Sequence, residues 1–278
     1  GRMQRYLKKG ASGVMLRTDW ERLLQGSTFN SFNIFNLIAG AMLSQDVNLD
    51  LDQAYEAWLD YGLLSPLQYD SCPQEPCVPK SPQALPVLKG LMQTSWKIME
   101  KSLYVRGHVF NRNAQMFDRY YLTYFIMTVQ HTRDHWDPGA SRKVQPTSEN
   151  MEIMVREKEE AVAMAREIGT WLKPEELGVN GEIERYLKFV IDIYGVYTEI
   201  FRAQLKTAAL IKKAENSRLP VDIQEAGNTL EVYENLAKRL DGLIEGKGYS
   251  NNVEYVMDAC RVRRFQEDCQ RCLKKLEE

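Results

Sequence analysis

The stretch "RTDWE" sets Arg17, Asp19, Trp20 and Glu21 within five residues, so a guanidinium, two carboxylates and an indole lie close together in the chain. A guanidinium fork pairs with a carboxylate, and ionised Asp and Glu accept hydrogen bonds from hydroxyls. The indole adds a flat apolar face. This set suits a polar ligand; the rival reading is a salt-bridged strand end with Trp20 in the core. A second cluster, "HTRDHWD", places His131 and His135 one helical turn apart, with Asp134 and Asp137 beside them. Two His at i and i+4 on one helix face can share a metal. The internal Glu of a metalloprotease helix is missing, and protonated His near a helix C-terminus is favourable without any ion. No metal and no cofactor is expected.

The cysteines are Cys72, Cys77, Cys260, Cys269 and Cys272. The first two, in "CPQEPC", are close enough to bridge, while Cys269 and Cys272 form a C-x-x-C inside a helical pattern. Plain thiols come first, then a Cys72–Cys77 disulfide, then zinc, because the spacings fit no known zinc type. The aromatic run Tyr120, Tyr121, Tyr124 and Phe125 could line a cleft, yet its helical spacing reads as core.

The elements that must position these groups are nearly all helical. Residues 2–9 look like the end of a short basic helix, broken by the run from Gly10 to Gly13. Residues 14–18 then read as a strand, and helix, glycine break and strand together are the pattern of one βα repeat. Phe32, Phe35, Ala39 and Leu43 recur at spacings of three and four, which predicts a helix over 30–44. Asp50 and Gln53 read as a capping pair for a helix carrying Tyr55, Trp58 and Leu59, closed by Gly62. The Pro- and Ser-rich residues 63–83 mark the expected boundary between domains 1–62 and 63–278. Ser81-Pro82 predicts the next helix start, with Pro86 delaying it and the helix running towards Tyr104.

Residues 113–136 predict a long aromatic helix and 137–149 a polar loop. Apolar stripes predict helices over 151–172 and 181–215, the second the longest. The run 156–167 reads as a charged, solvated face with an Arg156–Glu160 pair. Asn228 and Glu231 read as the capping pair of the following helix, with Gly246 at its end. Ser250 is the expected cap of the last helix, whose stripe is Val253, Val256, Met257, Cys260 and Phe265.

Composition bounds the rest. With 278 residues, 44% of them hydrophobic and 27% charged, the chain can bury a sizeable core. A net charge of −2 gives no electrostatic case for nucleic acid. The longest apolar run, 29–43, is interrupted by Asn30, Asn33 and Asn36 and falls short of the roughly 18 residues a membrane span needs. No nucleic-acid or membrane partner is expected. The opening Gly1-Arg2-Met3-Gln4 reads as the scar of a removed tag, so a fragment of a longer protein is expected.

"GASGVMLRTDWE", then after a gap "FNSFNIFNLIAGAMLSQDVNLDLDQAYEAWLDYG", resembles the end of the catalytic barrel in glycoside hydrolases of the alpha-glucuronidase type. In that family the last barrel strand leads to a helix with an Asn-Leu-aromatic core. An acidic turn follows, then a Trp-bearing helix ending in Phe or Tyr and Gly. Here Asn36 and Leu37, then Asp46, Asp50 and Asp52, then Trp58, Tyr61 and Gly62 fall in matching order. Ile38 stands for the usual aromatic and Val47 for the usual proline. The likeness covers about a fifth of the chain.

The resemblance implies a mainly α fold: an irregular multi-helix bundle with a short strand-like N-terminal remnant of a (β/α) barrel. It implies the C-terminal helical portion of a glycoside hydrolase acting on plant or host polysaccharide. That portion would support the barrel and contribute to its cleft or to a homodimer contact. Arg17, Asp19, Trp20 and Glu21 would bind substrate at the rim where barrel enzymes gather their site residues. The paired catalytic carboxylates are expected on earlier strands, outside this chain. The implied partners are carbohydrate, through the parent enzyme, and the rest of the catalytic barrel. A periplasmic or secreted parent is favoured. The alternative is a stand-alone helical protein-interaction module without catalytic activity; βα repeats upstream would separate the two. A metal-dependent bundle enzyme is a third idea, weakened by the lack of a Glu-x-x-His pair.

Overall fold

The computed structural model describes residues 2–15, 31–63, 78–109, 116, 139–144, 147–244 and 258–278. It is mainly helical, as the apolar stripes predict. The elements are α1 (Arg2–Lys8), α2 (Ile34–Gln45), α3 (Leu51–Tyr61), α4 (Ala84–Leu103), β1 (Tyr104–Val105), β2 (His108–Val109), α5 (Ala140–Lys143), α6 (Ser148–Trp171), a 3-10 turn (Pro174–Glu176), α7 (Gly181–Ser217), α8 (Pro220–Ile244) and α9 (Ala259–Glu277). They divide into two compact units. The first takes 1–91, 172–188 and 250–252; the second takes 92–171, 189–249 and 253–278.

In the first unit the helix pair α2–α3 forms as its sequence directs. Phe32, Phe35 and Ala39 are buried. The Asp50 side chain accepts from the Asp52 N–H at 3.1 Å, meeting one of the amides a helix start leaves without a partner. Gly62 ends α3 in the left-handed region at φ 96°, donating its N–H to the Leu59 carbonyl. Trp58 is fully buried and donates its indole N–H to the Leu63 carbonyl at 2.9 Å. Around it Phe32 packs edge-on at 5.1 Å between ring centroids, and Phe35 stacks on Tyr55 at 4.2 Å. Elsewhere in this unit Lys80 and Ser81 donate backbone N–H groups to the carbonyls of Gly178 and Leu177.

One expectation for this unit is corrected and one falls partly outside the described residues. Val14 and Met15 carry no regular structure, and residues 16–18 of the expected strand lie outside the described residues. Pro86 does not delay α4 beyond Ala84: it occupies the first turn, where the missing N–H has no intrahelical acceptor to lose.

The second unit is built on α7, whose 37 residues make it the longest element described. Val196, Ile200, Phe201, Leu205 and Ala208 form the centre of its core. The α8 stripe of Ala226, Leu230, Tyr233, Ala237 and Leu240 joins them, and Val262, Phe265, Cys269 and Leu273 cover the same core from α9. Tyr233 ties these layers together. Its hydroxyl donates to the Val262 carbonyl at 3.0 Å and accepts from the Gln204 amide at 3.2 Å. The two-residue strands β1 and β2 pair antiparallel across Arg106 and Gly107, whose φ values of 52° and 79° are the mirror-image turn that a tight hairpin prefers.

Here too the structure revises the sequence reading. Asn228 lies inside α8, which starts at Pro220. Proline's fixed φ suits a first helical position, and Ala226 continues the buried stripe upstream of Leu230. The last helix takes Asp258 as its cap, accepting from the Arg261 N–H at 3.1 Å. Cys260 is exposed and outside the stripe. Arg156 pairs with Glu152 rather than Glu160, which instead meets Lys101 at 2.8 Å. The polar stretch before α6 contains the short helix α5. Gly246, Ser250, Val253, Val256 and Met257 lie outside the described residues.

Candidate functional site

The substrate-binding set Arg17, Asp19, Trp20 and Glu21 lies outside the described residues. So do His131, Asp134, His135 and Asp137, the aromatic run Tyr120 to Phe125, and Cys72 and Cys77. Cys269 is buried on α9 and Cys272 half-buried. Among the described residues no group of three or more His, Cys, Asp or Glu side chains gathers to hold a metal. The described residues instead define three places where chemistry-bearing or ligand-contacting groups converge.

The first is a groove of about 380 Å³ in the first unit. Its walls are α1, the extended residues after it, and the end of α2, through Met3, Tyr6, Leu7, Val14, Leu43 and Val47. Gly10, at φ 88°, ends α1 and turns the chain along the groove. Tyr6, Leu7, Val14 and Met15 are 59%, 54%, 51% and 92% exposed, a concentration of apolar side chains in water. Val14 lies in the groove wall with Leu43, while Phe32 and Phe35 are buried around Trp58 and Tyr55.

The second is a pocket of about 420 Å³ in the second unit, framed by the start of α6, the end of α7 and the start of α8. Arg218, at φ 55°, reverses the chain between α7 and α8 and sets Asp222 back against Ser217. The Asp222 carboxylate is only 8% exposed; Lys213 Nζ lies 2.8 Å from one oxygen and the Ser217 hydroxyl donates to the other at 2.5 Å. Lys213 and then the Ser217 hydroxyl hold the Asp222 carboxyl below its ordinary pKa, against the opposing effect of burial. Asp222, followed by Glu225, raises that of Lys213.

The third is Lys158, buried in the middle of α6 within the run that reads as solvated. Its ammonium donates to the Lys101 carbonyl at 2.7 Å and to the Tyr104 carbonyl. Lys101 lies in the last turn of α4, where helical acceptors go without partners, and Tyr104 follows that helix in β1. Burial pushes the amine down to about pKa 7, Glu157 works against that, and Lys101 adds to it. Next to it the Arg106 N–H donates to Glu157 at 2.8 Å, while its guanidinium reaches the Lys143 carbonyl and the Asn150 side chain. Lys158 is thus a buried clamp on the α4 end and the hairpin, with no pocket around it among those described. No spacing rule marks it; the only sequence signal is that it shares a face with Met154, Ala161, Val162 and Ala165.

No family model matches the chain, and neither a curated protein nor a solved structure does.

Proposed function

We propose that the chain is the C-terminal helical portion of a barrel-type glycoside hydrolase acting on plant or host polysaccharide, with the remainder of the barrel as its partner. The observation that carries this reading is the apolar groove of the first unit. Residues 11–14 and the end of α2, which belong to the stretches that resemble a barrel's end, form its wall together with α1, and Tyr6, Leu7, Val14 and Met15 stand exposed. Apolar patches of this kind mark surfaces that another polypeptide covers. The neighbouring α2–α3 pair, with Asp50, Trp58 and Gly62 in capping and core roles, supplies the rest of the likeness.

The test is the polypeptide encoded upstream. A succession of βα repeats is expected there, and the longer polypeptide should hydrolyse aryl glycosides or uronides while the 278-residue chain does not. The reason is that glycoside cleavage needs two carboxylates at fixed separation, expected on the upstream strands. Upstream sequence without such repeats sinks the reading. So does turnover by the short chain that disappears on changing Asp19 or Glu21. The same groove would serve a stand-alone helical interaction module, and the missing repeats would favour that reading.

A further inference from the structure

We propose that the pocket between α6, α7 and α8 binds a neutral, hydroxyl-rich ring, a saccharide, at a site separate from any catalytic cleft. Its volume of about 420 Å³ falls in the range of small-molecule sites. Charge decides the ligand class. Lys213 meets Asp222 at 2.8 Å and Glu225 at 3.3 Å, and Lys212 meets Glu215 at 3.5 Å. Each ammonium at the pocket is already matched by a carboxylate, so an anion or a cation entering would displace an existing pair. A neutral ligand keeps those pairs.

Hydrogen-bonding groups of both kinds remain around the space. The carboxylate of Asp222 accepts, the Lys213 ammonium donates, and the Ser148 hydroxyl and Asn216 amide do either. Vicinal hydroxyls, which donate and accept alternately, match that arrangement. Met151, Ala209 and Leu210 contribute an apolar patch of wall, suited to the C–H face of a pyranose. The polar centre is also held in advance. Asp222 is fixed by two partners at 2.8 and 2.5 Å, so little ordering is left for the ligand to impose.

The 278-residue chain is titrated with neutral pentoses, hexoses and their short oligomers by calorimetry and by protein amide shifts, with phosphate as the charged comparison. At least one neutral sugar should bind saturably in the millimolar range, and phosphate should not compete. Ser148→Trp, at an exposed position on the pocket's mouth, should abolish binding with the melting temperature unchanged. Asn216→Ala, also exposed, should weaken it about tenfold, the effect of one lost hydrogen bond. Three outcomes overturn the proposal: no sugar binds saturably, phosphate binds in preference, or Ser148→Trp leaves binding intact. In any of these cases the Ser217–Asp222–Lys213 cluster is a cap on the α7–α8 turn and nothing more. None of them touches the parent-enzyme reading, which is tested on upstream sequence and turnover.

Discussion

Lys158 is a charged residue type held where burial penalises charge, and its partners are two backbone carbonyls with no carboxylate in direct contact. A neutral amine can donate to both carbonyls; an ammonium has a third N–H to accommodate as well as its desolvation. The fall from 10.5 to about 7 corresponds to a preference for the neutral form of roughly 5 kcal/mol. Between those two pH values the unfolded chain holds a proton that the folded chain has released, so stability rises with pH across that window. Below about pH 7 the full cost of an ammonium in the fold is present. The variant Lys158→Met removes this dependence and leaves the Lys101 and Tyr104 carbonyls with one donor fewer, a loss of about 1–3 kcal/mol each. Urea unfolding from pH 6 to pH 10 is the measurement. The wild type should gain up to roughly 4 kcal/mol over the variant as pH rises. Parallel profiles would mean that the negative end of α4 keeps the amine charged in the fold, and the argument from burial would fail.

At the scale of elements, two of the glycines with positive φ in the first unit separate conformational strain from crowding. Gly10, at φ 88°, ends α1 with nothing within 4 Å of where a Cβ would stand, and Gly178, at φ 65°, follows the 3-10 turn. A Cβ on Gly178 would also stand 3.0 Å from the Ser81 nitrogen and 3.1 Å from the Lys80 Cβ. Gly10→Ala should therefore cost about 1 kcal/mol, the ordinary effect of a side chain in that region. Gly178→Ala should cost about 2 kcal/mol or more, because backbone bonded to its own carbonyl must also move. Chemical denaturation of both variants ranks them; equal losses would show that the contact relaxes freely.

Gly62 shows what sequence makes legible. A glycine after a Tyr-Trp helix, an Asp at its start and stripes of Phe, Leu and Val report local needs, so α2, α3, α6 and α7 could be read ahead of the structure. Lys158 could not, since the carbonyls it serves lie more than fifty residues away in the chain. The start of α8 was hidden for a different reason. Two capping signals compete there, and the buried stripe from Ala226 to Leu240 favours Pro220 over Asn228. The candidate pocket has no spacing signature either: Ser148 and Asp222 meet around it only because α7 is long enough to bring α8 back towards the start of α6.

On the scale of the whole molecule, the groove in the first unit is the feature least consistent with a chain at rest in water. Its wall residues Tyr6, Leu7 and Val14 are each more than half exposed, and burying such side chains stabilises by about 1.5–3 kcal/mol apiece. If the rest of a barrel covers that surface in the parent protein, the short chain should report the exposure directly. A hydrophobic dye should gain fluorescence with the 278-residue chain, and Leu7→Glu should reduce that gain without lowering the melting temperature. In the longer polypeptide the relation reverses. The dye should find little to bind at the groove, while Leu7→Glu, now a buried carboxylate with no partner supplied for it, should lower stability by about 2 kcal/mol or more. A Leu7→Glu change harmless in both forms would show that this surface stays open to water in the parent as well, and the barrel would lose the groove as its point of attachment.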